Sequence, residues 1–190
     1  MSDETSPSLL DRVRADDGAA WRRLVALYHP LVLAWCRQGG AGADAEDVAQ
    51  EVFLAIARGL DGFQRAGPGG FRAWARGVTR HKLLDHFRRR GRSPVAAGGT
   101  TAALAVQGLP DPGPGSLDDA TETGGLYRRA LDLIRSSFEE KTWQAFWQAG
   151  VEGRDTAAVA AALGMSPTAV RIAKSRVLAR LRQEAGALID

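Results

Sequence analysis

Cysteine is nearly absent: Cys36 is the single one in 190 residues, which excludes a disulfide scaffold and any metal site built on several thiolates. Set beside Leu31, Val32, Leu33, Ala34 and Trp35, it reads as a small core residue. Long apolar runs are missing too, none approaching the roughly 18 to 20 residues of a membrane span. The opening MSDETSPSLLDRVRADD is acidic where a signal peptide is basic and then apolar, so the protein is expected in the cytoplasm, with no membrane partner. Histidine is scarce: His29, His81 and His86 lack acids at ligand spacing, and no phosphate-cradling glycine loop precedes a helix. No catalytic group, no cofactor and no metal site is therefore expected, and the chain is not expected to be an enzyme. The alternation of apolar and polar residues that marks strands is also lacking, so sheet is not expected.

What is present is the mixture of a soluble globular protein, 45% hydrophobic and 25% charged. The net charge is only +3, but it is unevenly spread. Residues 71–92 hold eight Lys or Arg against the one acid Asp85, and residues 166–183 hold five against none. Two basic surfaces on an otherwise acidic body suit a polyanion partner. Ordinary solvated helix faces usually intersperse acids at i,i+4, and these segments lack them.

Between these segments the composition changes. Residues 93–125 hold seven Gly, four Pro and no Lys or Arg, including the run LPDPGPG. Prolines remove backbone donors and glycines resist ordering, so a flexible linker without stable helix or strand is expected there. The expected architecture is all-α: two small helical domains, 8–92 and 126–188, joined by this Pro/Gly-rich linker. In the first, Leu24, Leu27, Tyr28, Leu31, Val32 and Trp35 form one stripe that Gly39 and Gly40 end; Ala49, Phe53, Ile56 and Leu60 form a second; Phe71, Trp74, Val78, Leu84 and Phe87 form a third. Three such faces can bury one another as a helix bundle and leave the arginines of the third exposed. In the second domain a helix from Leu126 to Phe138 leads to a small core anchored by Trp143, Phe146 and Trp147.

A helix-turn-helix follows. Asp155 can cap a helix over 156–163, Gly164 permits the left-handed turn, Ser166 caps the next helix and Pro167 fits its first position; that helix is expected to run to Arg182. With Val159, Leu163, Val170, Val177, Leu178 and Leu181 facing inward, Thr168, Arg171, Lys174, Ser175 and Arg176 are left to face a major groove. An ordinary helical hairpin would explain the glycine but not the basic outer face. The mixture of Trp74, His81, His86 and Phe87 with arginines over 72–92 suits unpaired bases, which stack on rings while cations hold the backbone; equally, the rings can be core. The acids of 44–51 sit where a helix dipole favours them, yet Asp47, Gln50 and Glu51 share one face that could dock a basic helix. The residues alone leave that choice open.

These motifs, in this order, resemble the extracytoplasmic-function group of sigma-70-type sigma factors over nearly the whole chain. DAEDVAQEVFL resembles the family's region 2.2, FRAWARGVTRHKLLDHFRRR its regions 2.3 and 2.4, and the C-terminal helix-turn-helix its region 4.2. The resemblance implies an alternative sigma factor that binds core RNA polymerase and promoter DNA, in some members under the control of an anti-sigma factor. It implies that Asp47, Gln50 and Glu51 dock on the polymerase's largest subunit. It implies that Phe71, Trp74, Arg76, His81, Lys82, Asp85, Arg88 and Arg89 open and read the minus-ten element, and that Thr168, Arg171, Lys174, Ser175 and Arg176 meet the minus-thirty-five element. The chain departs from the family's common pattern at His81, where Asn is usual, and at Ala158, where an acid is. The rival class, a stand-alone helix-turn-helix regulator, would bind DNA without polymerase.

Overall fold

Capping side chains set where the helices begin. Ser8 and Asp11 close a reciprocal box at the start of α1 (Leu9–Arg14), each side chain accepting from the other's backbone N–H. Asp17 caps α2 (Gly18–Gln38), accepting from the Ala19 and Ala20 amides at 2.8 and 3.1 Å. Hydrogen bonding to Arg12 is the main reason its carboxyl lies below the usual carboxylate range. Then come α3 (Ala45–Gly59), α4 (Gly70–Arg89), α5 (Leu117–Arg135), and α6 (Glu140–Phe146), which runs into a π-turn over Trp147–Val151; α7 (Thr156–Leu163) and α8 (Pro167–Ile189) complete the chain. This computed structural model describes residues 8–64, 70–90 and 117–189, and among them every regular element is helical, as expected.

The stripes predicted for α2 and α3 are buried: Leu24, Leu27, Tyr28, Val32, Trp35, Ala49 and Ile56 are all fully enclosed. In α4 the buried row keeps the predicted ends, Phe71 and Phe87, but differs in its middle. It is Phe71, Ala75, Thr79, Leu83 and Phe87, at a strict spacing of four, while Trp74, Val78 and Leu84 lie half-buried on its flank. The row escapes notice because two of its members are small or polar. Thr79 tolerates burial by donating its hydroxyl to the Ala75 carbonyl at 2.9 Å. Close approach explains Gly39: a Cβ there would stand 2.5 Å from Leu83 Cδ1, so the end of α2 sits directly on α4.

Two further expectations are corrected. Helix α5 begins at Leu117, inside the segment expected to be a flexible linker without helix, and carries Gly124 and Gly125 within it. Each glycine costs a helix about 1 kcal/mol relative to alanine, and contacts of Glu122 and Thr123 with α2 and α4 offset that. Helix α8 continues past Arg182 to Ile189 because Ala185 and Leu188 are buried against the N-terminal half. Tyr28, itself fully enclosed, donates its hydroxyl to the Leu188 carbonyl, and Arg129 Nε donates to the Leu27 carbonyl at 2.8 Å. Glu184, nearly enclosed, is held by Arg23 at 3.0 Å and Arg180 at 2.7 Å. The core consequently runs from α1 to α4 into α5 and α8, while Ala145, Val159, Ala160, Val170 and Ala173 form a separate small core within the helix-turn-helix. The first seven residues of the acidic opening and the Pro/Gly-rich residues 93–116 lie outside the described residues.

Cys36 is fully buried, and burial pushes its thiol from its ordinary value up to about 12. Burial raises Tyr28 as well. Because both folded groups hold their protons more tightly than unfolded ones, the stability they contribute is complete below about pH 9 and is lost as pH rises towards 12. Denaturant midpoints should fall across that alkaline range. At neutral pH a thiol reagent should modify Cys36 only after unfolding; rapid labelling of the native protein would contradict its burial.

Candidate nucleic-acid and polymerase interfaces

The helix-turn-helix forms as its local chemistry predicts. Asp155 accepts from the Ala157 and Ala158 amides at 2.9 and 3.0 Å, Gly164 takes a left-handed φ of 59°, and Ser166 Oγ accepts from the Ala169 amide at 3.1 Å. The two helices meet through a bend of 102°. Val170 and Ala173 face the small core and Val177 the main one, so Thr168, Arg171, Lys174, Ser175 and Arg176 all emerge exposed on the other side. Replacing Asp155 by Ala leaves two amides at the start of α7 without an acceptor; we expect a loss of about 1 kcal/mol, read as a lower denaturant midpoint, and an unchanged midpoint would show that the cap contributes nothing.

One large apolar side chain stands in that row: Ile172 is 48% exposed between Arg171 and Lys174. Its signal in the sequence is an isoleucine out of register with the buried Val170 and Ala173. A second such residue marks α3. Asp47 and Gln50 are exposed and Glu51 is half-buried, as one face requires, and Leu54, 57% exposed, extends that face by one turn.

Helix α4 divides its predicted residues between several environments. Phe71, expected in the apolar stripe and, by the resemblance, at the minus-ten element, is fully enclosed, with Tyr28 and Phe63 rings edge-on at 5.0 and 5.6 Å. Trp74 packs on Phe63 at 5.0 Å and covers Gly59, keeping only part of its ring accessible. Arg76 is nearly covered and pairs with Glu122. His81 is exposed, its Nδ1 2.8 Å from the Gly77 carbonyl; Lys82 and Asp85 are half-buried; Arg88 lies 3.5 Å from Asp85. Arg80, which the motif reasoning passed over within the basic run, is exposed beside His81.

The end of α4 also meets the start of α3. Arg89 donates to both Glu51 oxygens at 2.6 and 2.8 Å, and this hydrogen bonding raises the guanidinium above its usual value. Arg90 and His86 surround Asp44, the latter at 3.4 Å. One docking candidate and one DNA candidate are thus in contact with each other, while Asp47 and Gln50 stand clear.

Comparison with known proteins fits this arrangement. Residues 24–93, which run from α2 through the end of α4, match the family described as Sigma-70 region 2. Along 95% of this chain and 96% of the relative, the sequence is 31% identical to the ECF RNA polymerase sigma factor ShbA of Streptomyces griseus. The chain belongs to the ECF RNA polymerase sigma factors. It is also 28% identical to the ECF RNA polymerase sigma factor SigD of Mycobacterium tuberculosis over 97% of this chain and 85% of that one. A further relative is the ECF RNA polymerase sigma factor SigF of Caulobacter vibrioides, 30% identical over 88% and 86%. The protein is thus an alternative sigma factor acting in transcription initiation, a class of initiation factors rather than enzymes. Among the sigma factor's described residues, no group of three or more His, Cys, Asp or Glu could hold a metal ion, and no single helix is long and apolar enough to cross a membrane.

Proposed function

We propose that this sigma factor divides promoter recognition among three helices. The exposed face of α3, with Asp47, Gln50 and Glu51, recruits core RNA polymerase. The start of α8, with Thr168, Arg171, Lys174, Ser175 and Arg176, meets duplex DNA at the minus-thirty-five element. Helix α4 meets the minus-ten element through Trp74, Arg76, His81, Lys82, Asp85, Arg88 and Arg89, with Arg80 added and Phe71 acting from beneath. The first role spans a region-2-like unit over 8–92 and the second a region-4-like unit over 126–188, with the connection lengthened or shortened by how much of α5 stays helical.

Opening follows from binding. Unpaired bases are available only in the open duplex, so a surface that binds them shifts the equilibrium towards opening without hydrolysis, by as much as its differential affinity. Polymerase performs the chemistry. The partners are core RNA polymerase and promoter DNA in the cytoplasm, with an anti-sigma protein as a regulator that would act by covering one of these faces.

The observation that carries this reading is the exposed polar row on α8, held in register by a capped turn and a dry inner face. Transcription by core polymerase plus this protein on fragmented genomic DNA tests it. Initiation should occur at sites sharing an upstream and a minus-ten element. Duplex binding without any initiation would instead favour the stand-alone regulator.

A further inference from the structure

Glu122, in the second turn of α5, is the acceptor at the centre of the contact between the two halves. The Trp35 indole N–H donates to its Oε1 at 2.8 Å, and Arg76 Nη2 donates to the same oxygen at 2.7 Å. This is no loose surface pair. The Arg76 and Glu122 side chains are 12% and 14% exposed, Trp35 is fully buried, and the Arg76 guanidinium lies over the Trp35 ring at 4.9 Å. One turn back along α4, Arg72 donates to the Thr123 hydroxyl at 2.6 Å.

Three features make this cradle a seat for an anion and not merely a brace between helices. First, a guanidinium and an indole N–H converge on one oxygen, a donor set that matches a phosphodiester oxygen as well as a carboxylate. Second, Arg72, Arg76 and the exposed Arg80 recur every four residues along α4. Such a row suits a polymer of anions more than one isolated charge. Third, the carboxylate is brought there by a poor helix: Gly124 and Gly125 stand two and three residues after Glu122 and weaken the turn that presents it. Desolvating a buried ion pair is costly, so the pair adds little net stability and another anion can take the place of Glu122.

We infer that Trp35 and Arg76 form a seat for a backbone phosphate of single-stranded promoter DNA, and that Glu122 fills this seat in the free chain as an internal competitor. The inference rests on the proposed role of α4 at the minus-ten element. Strand and α5 then exclude one another: a phosphate enters only when the start of α5 leaves, and a partner that draws α5 from α2 vacates the seat for DNA.

Fluorescence anisotropy of a short labelled single-stranded oligonucleotide, titrated with the full-length chain without polymerase, tests the competition. Glu122→Gln keeps the shape and removes the charge. It should tighten binding by about 5- to 10-fold and steepen the slope of log affinity against log salt by about 0.7, the signature of one added phosphate contact. Adding Arg76→Gln should cancel both gains. Unchanged affinity or slope in Glu122→Gln overturns the proposal, as does the absence of any binding by it at micromolar concentrations. So does a gain that persists in the double variant, because general loosening of the halves would expose other cations instead. A measurement on the unmodified chain guards against misfolding of the variants: saturating oligonucleotide should speed amide hydrogen exchange over residues 117–125, and unchanged or slowed exchange there overturns the proposal too. Since polymerase is absent from both measurements, failure to recruit polymerase would sink the proposed function while leaving the seat's result readable.

Discussion

Reversing charge at both Asp47 and Glu51, as Asp47→Lys with Glu51→Lys, is expected to weaken binding to core RNA polymerase by at least about 100-fold while leaving duplex binding by α8 intact. Like charges set against one another across an interface cost several kcal/mol, and among the described residues Asp47 has no ion-pair partner to absorb the change. Glu51 differs, since it holds Arg89 through two hydrogen bonds. Exposed pairs of this kind contribute about 0 to 1 kcal/mol, so polymerase can take Glu51 from Arg89 at little cost. The fold should survive, because losing an acid from the first turn of α3 removes only about 0.3 to 1 kcal/mol of dipole stabilisation. Affinity for immobilised core polymerase, beside a melting curve, checks the result. Binding equal to that of the unmodified protein would remove α3 from the interface.

The reciprocal experiment should give the reciprocal result. Arg171→Ala with Lys174→Ala is expected to lower affinity for a duplex carrying the upstream element by about 10- to 100-fold for each base-contacting side chain lost, and by a shallower salt slope for each phosphate contact. Polymerase binding should not change. Both side chains are exposed and neither joins the small core of Ala145, Val159, Ala160, Val170 and Ala173, so stability should stay within about 0.5 kcal/mol. Loss of polymerase and duplex binding together would mean that the two faces are not separable.

How much of this was legible in the sequence depended on how local the governing interaction is. The helix-turn-helix could be laid out residue by residue because its determinants lie within four positions of the groups they serve: Asp155 on the amides of 157 and 158, Ser166 on that of Ala169, and Gly164 at its own φ. The stripe of α2 was equally plain, being built from large apolar residues. The ends of the α4 stripe, Phe71 and Phe87, were legible as large apolar residues, but its middle was misplaced by one position because Ala75 and Thr79 do not announce burial. Helix α5 was missed for a different reason. Residues 117–125 carry glycines and no strong apolar period, and what keeps them helical is distant in the chain: Trp35, Arg72 and Arg76 reaching Glu122 and Thr123. The Arg89–Glu51 pair was hidden in the same way, although both residues had been singled out for separate roles.

Size-exclusion chromatography of the purified chain with sigma-free core RNA polymerase tests the central claim most directly. A sigma factor organised as described should co-elute with core polymerase as a stable complex. A folded protein that elutes alone at micromolar concentrations, while still binding duplex DNA through α8, would contradict the claim and leave a stand-alone DNA-binding regulator in its place.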